Sequence, residues 1–253
     1  MGFGWRWKRV LKWGGIGLGI VFLVGLAFPC RSCQQEAAEA IGVAQHGSLI
    51  ARAMEAMEDD PQSSSPRYPA DFPITATAAN YLTHIVQAGY LQESDLKILR
   101  APNYSMASSV GELSEKTIPF TIFRVSADDP FDTVFLISKS NVFKHGIVMI
   151  RKNGTFQLYH PADAIDPILQ HLPGIHPKII GKSFDGKMLP FMVFPVADDD
   201  PADTVFAVYK SEVSKDDVVV LEKGGDAQRY RASDALDMIL LHLSPSHPPA
   251  FLP

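Results

Sequence analysis

The sequence predicts an α+β protein: an N-terminal transmembrane helix running on into a long helix, packed on an antiparallel sheet built from two tandem strand-hairpin-helix repeats. Three observations carry this. Residues 13–28, "WGGIGLGIVFLVGLAF", form an uncharged apolar run, and residues 34–59 are rich in helix formers. The stretch "SADDPFDTVFLISKS", starting at Ser126, returns 71 positions later as "ADDDPADTVFAVYKS", starting at Ala197. With 253 residues, 46% hydrophobic and 20% charged, the chain has material for one or two cores. A net charge of -5 and scattered cations give no basic face for phosphates, so no nucleic-acid partner is expected.

At the N-terminus, Arg6, Lys8, Arg9 and Lys12 precede the apolar run, which approaches the ~20 residues needed to cross a hydrocarbon core. Trp5, Trp7 and Trp13 suit an interfacial belt. The excess of basic residues before the run places the N-terminus in the cytoplasm, so the expected partner of this segment is the lipid bilayer. The topology implied is a membrane crossed once, with the rest of the chain exported. Bulky Phe28 and Pro29 stand where a signal peptidase needs small residues, so the run reads as an uncleaved anchor. Cys30 and Cys33 are the only cysteines. A C-x-x-C can be a redox pair or half a zinc site, but no second cysteine pair accompanies it, and a disulfide suits the exported side.

The following helix carries Ala37, Ile41, Ala44, Ser48, Ala51 and Met54 at three- and four-residue steps, a stripe of mostly small residues. It stops in a loop punctuated by Pro61, Pro66, Pro69 and Pro73. "TATAANYLTHIVQAGYL" then predicts a second, threonine-capped helix ending at Gly89. A long helix continuous with an N-terminal apolar run, the acidic end "EAMEDD", "RYPAD" and "NYLTHIVQAGYL" together resemble type IV pilins and G-type pseudopilins of type II secretion. That resemblance covers residues 34–160. It implies a pilin-like structural or interaction protein of a bacterial inner membrane, its C-terminal domain periplasmic, with other pilin-like subunits or secretion machinery as partners. Two departures stand out. No acidic residue precedes Glu36, and the Asp-Gly-His of the family's last strands is "NGT" here.

The duplication runs without a gap from Phe120 and Phe191 to Leu172 and Leu243, with roughly half the positions identical. Each unit reads as a strand ("DTVFLIS"), a hairpin turning at Asn153-Gly154, and a short helix, with Ser233 as the expected N-cap in the second copy. The expected organisation is an anchor segment at 1–33 and a long helix, loop and second helix at 34–115. Repeat units at 116–175 and 187–245 and a Pro-rich tail at 246–253 complete it.

Chemistry centres on the repeated acidic loops. Asp128, Asp129 and Asp132, and their counterparts Asp199, Asp200 and Asp203, could ligate calcium, a cation that the pseudopilin resemblance also implies. Their spacing matches no EF-hand, and Asp-Asp-Pro is also ordinary turn composition. No other cofactor is expected. His171 and His242 are equivalent in the two copies and sit near helix C-termini, where the dipole favours a cation. No phosphate loop, nucleophile elbow or two-histidine metal motif occurs, so no enzyme is expected. Three readings remain. In an assembling subunit, the stripe from Ala37 to Met54 packs against identical helices. In a non-assembling binding protein, the stripe is covered within the chain and partners contact the repeats. In a hydrolase, Asp129 and Asp200 converge on one pocket.

Overall fold

The computed structural model describes residues 31–62, 66–175, 177–184, 187–210, 217–243 and 250–251. The apolar run 13–28 and Cys30 lie outside these residues, as does the side chain of Cys33, so the anchor and the disulfide do too.

Helix α1, Arg31–Glu58, is amphipathic: Ala40, Val43, Ala44, Ile50, Ala51 and Met54 are buried, while Glu39, Arg52, Glu55 and Glu58 face solvent. Helix α2, Ala78–Gln87, starts at Thr77, whose side chain accepts from the Asn80 backbone N–H. Gly89, at φ 82°, ends it. A run of 3-10 turns, including Glu93–Leu99, leads into the first unit.

Sheet 1 is an antiparallel meander of β1 (Phe120–Ile122), β2 (Val134–Ser138), β3 (Ile147–Arg151) and β4 (Phe156–Tyr159), followed by α3, Pro161–Gln170. Sheet 2 is a five-stranded meander of β5 (Lys178–Phe184), β6 (Lys187–Val193), β7 (Val205–Lys210), β8 (Asp217–Glu222) and β9 (Ala227–Arg231). Helix α4, Ala232–Leu241, follows it. The units share even an irregularity, a bulge at Val134/Leu136 in β2 and at Val205/Ala207 in β7.

Two expectations are corrected here. The strands form two separate sheets rather than one. After β4 the chain turns into α3, and β5 opens a new sheet beyond it, so α3 and α4 lie packed on each other between the sheets. Also, among the described residues no helix is long and apolar enough to cross a membrane. The long helix is amphipathic because it must seat one face on sheet 1, and its other face is charged.

Two cores result. The first joins α1, α2 and the 3-10 turns to one face of sheet 1 through Phe120, Ile122, Phe135, Leu136, Val148 and Ile150. The second lies between the sheets and is built from equivalent residues of both units. Val134 and Val205, Ile137 and Val208, Met149 and Val220, Ile168 and Ile239, and Leu172 and Leu243 all enter it. Equivalent residues meeting across one core are the signature of an isologous contact, here contained within one chain.

Ser233 is not the cap of α4. Arg231 occupies that position without a side-chain cap, and the Ser233 hydroxyl donates to Asp234 instead. Ala250 bridges Phe123 and the Phe251 N–H donates to the Ile122 carbonyl, so the chain returns to the β1 edge. The Phe251 ring stacks on Tyr81 at 5.9 Å and lies edge-on to Phe72 at 6.3 Å, inside the first core.

Candidate functional site

The repeated acidic loops are built around a lysine. In the first unit the Lys152 ammonium donates to the backbone carbonyls of Ser126, Ala127 and Asp129, each at 2.8 Å. In the second, Lys223 donates to the carbonyls of Asp198 and Asp200 at 2.7 and 2.6 Å. Both lysines follow the third strand of their unit, whose pairing delivers the ammonium under the loop; their own N–H groups bond the Thr133 and Thr204 carbonyls. Three carbonyl oxygens around one cation resemble half a calcium shell, yet the cation is the protein's own. A charge-assisted hydrogen bond from a buried ammonium fixes loop shape strongly.

The carboxylates point elsewhere. Asp129 accepts from the Ser126 N–H and hydroxyl, and Asp200 accepts from the Ala197 N–H, closing the same small turn twice. Asp132 faces His171 Nδ1 at 3.3 Å, and Asp203 faces His242 Nδ1 at the same distance. Asp128 and Asp199 are exposed. Among the described residues, no group of three or more His, Cys, Asp or Glu is placed to hold a metal ion. The six predicted ligands are therefore spread over turn closure, histidine pairing and solvent. What the sequence reading passed over was the lysine, although Lys152 and Lys223 are identical partners in the alignment, each just before a glycine-containing turn.

A second feature is an open groove of about 780 Å³ between α1 and the segment 90–106. Leu49, Ala53, Leu91, Ile98 and Met106 give it an apolar floor, with Arg52, Lys97 and Arg100 around it. His46 also lines it. Burial lowers the His46 pKa, and its Nδ1 has no hydrogen-bond partner. Neither Asp129 nor Asp200 lines this groove.

The third feature is a sheet face. Because Met192, Val208, Val218 and Val220 enter the core between the sheets, strand alternation turns Phe191, Val193, Tyr209, Val219 and Leu221 to the opposite face of sheet 2. The bulge sends Phe206 to that side too. On sheet 1 the equivalent face lies under α1, and Phe135 is 0% exposed; on sheet 2 Phe206 is 40% exposed. Among the described residues no helix is packed on this second face.

No protein-family model, curated protein or solved structure matches the chain.

Proposed function

We propose that the protein is a partner-binding protein of the bacterial envelope, held at the inner membrane by its apolar run 13–28 and not assembling through its long helix. The observation that carries this is the fate of the small-residue stripe. Of its six residues, Ala37, Ala44, Ser48, Ala51 and Met54 are buried within the chain and Ile41 is half-buried, so most of the surface a pilin-like subunit would offer to identical helices is already occupied. The helix-on-sheet first half supports kinship with pilin-like architecture, while the duplicated half supplies the recognition surface. The acidic loops support an architectural role rather than hydrolysis, since each holds its own turn and its own lysine.

The test is disulfide cross-linking in intact membranes. Single cysteines replace the exposed α1 residues Gln45 and Leu49 in a background where Cys30 and Cys33 are serine. The expected outcome is no ladder of cross-linked copies, with the protein released from membranes by detergent and not by carbonate. A ladder from either position would establish a filament and end this reading, and release by carbonate would remove the anchor.

A further inference from the structure

The open face of sheet 2 can be assigned an occupant, because the same chain contains the occupied version of it. On sheet 1, α1 comes so close that a Cβ added to Gly47 would sit 2.1 Å from Ile150 Cδ1 and 3.3 Å from Phe120. Ser48 and Ala51 flank that point, with the Ser48 carbonyl and Ala51 Cβ both 3.8 Å from where a Cβ on Gly154 would lie. The seat that accepts this small-residue surface is made by Phe120, Ile122, Phe135, Val148 and Ile150. The second unit keeps that seat as Phe191, Val193, Phe206, Val219 and Leu221, all apolar although nothing among the described residues buries them as deeply. An apolar patch retained at the surface and framed by polar residues is the mark of an interaction site.

We propose that this face docks one α-helix of a partner protein, a helix with Gly, Ala and Ser at three- and four-residue spacing and acidic residues along its flanks. The proposal rests on the partner-binding reading above. Charge selects the flanks. Lys178, Arg229 and Arg231 stand on the same side of the sheet, across from Val193, Val219 and Asp217; among the described strand residues Asp217, ion-paired with Arg229, is the one acidic group on that side, which leaves an excess of positive charge. The helix that fills the seat in the first unit has such flanks itself, in Glu39, Glu55 and Glu58. A second copy of this chain is the poorer fit for two reasons. Its α1 is already committed to its own sheet 1, and two such faces meeting would set Lys178, Arg229 and Arg231 against their own kind.

A fluorescein-labelled peptide of residues 35–58 serves as the probe, since it presents the stripe and the acidic flanks together. Titrated with the full chain and followed by anisotropy, it is expected to bind saturably. Binding should weaken about tenfold or more in Phe206→Asp, as for a central interface residue. Lys178→Glu, an exposed change that spares the fold, should also weaken it, and Ile74→Ser on the first half should leave it unchanged. A photo-cross-linking residue at position 206 should label the peptide, and one at 135 should not. Absence of binding, binding unaltered by both Phe206→Asp and Lys178→Glu, or labelling only from 135 would overturn the proposal. So would a dimer abolished by Phe206→Asp, which would give the face to a second copy. Failure of the peptide leaves the non-assembling reading standing, because that reading is decided by the α1 cysteines; a cross-linked ladder removes that reading whatever the peptide does.

Discussion

The two units are the same design in two settings. Strands β1–β4 match β6–β9 one for one, with β5 an additional edge strand of sheet 2; the bulges coincide, and each unit cages a lysine under an Asp-Asp-Pro turn. One face of each sheet goes to a shared core. The other face differs completely, since the first carries α1 and the second carries no described helix. The difference teaches that an apolar side chain in a strand is a request for cover that the strand cannot itself grant. Phe135 and Phe206 are the same residue at the same register, and only the neighbouring element decides whether the ring is core or surface.

The largest effect should come from that pair. Phe135→Ala removes a fully buried ring and is expected to cost about 3–5 kcal/mol, whereas Phe206→Ala should cost less than about 1 kcal/mol. Denaturant melts of the two variants check this, and equal losses would mean that the second face is buried after all. Next come the lysines. Lys152→Met strands three carbonyls around a 5%-exposed side chain and should cost about 3 kcal/mol. Lys223→Met, at a half-buried site, should cost about 1–2 kcal/mol. If both melt like the parent, the ammonium is decoration and the loops hold themselves.

The smallest effect separates the units by acidity. Burial lowers the His46 pKa from its ordinary 6.5, so below that pH the unfolded chain takes up a proton that the folded chain resists. Stability is therefore intact above about pH 6.5 and falls as the pH drops towards the folded value. His46 lies on α1, so hydrogen exchange should show sheet 1 loosening in acid before sheet 2. His46→Gln should flatten the dependence; a slope unchanged by that substitution would place the sensitivity elsewhere.

Much of this was readable in the sequence, for local reasons. The duplication needed only an ungapped alignment, and α2 was framed by Thr77 and Gly89, both of which act within one turn. The long helix was legible from Ala-, Glu- and Met-rich composition. What escaped depends on distant pairing. Strand β5 is a strand because β6 lies beside it, and Phe251 enters the first core by reaching Ile122 from the far side of both units. The acidic loops misdirected attention because side-chain chemistry is visible in a sequence, whereas carbonyl oxygens converging on a lysine are not. The open face could not be seen at all from residues that the two copies share.

The returning strand segment has a consequence for the order of events as the chain is made. Phe251 stacks on Tyr81 and meets Phe72 edge-on, and both leave the ribosome long before it, so the first core cannot close when the first unit is complete. Until the second unit has followed and delivered Phe251, Tyr81 and Phe72 lack one of their ring partners, and the β1 edge stays open to other strands. The protein thus matures from both ends at once, and the half synthesised first is the half finished last.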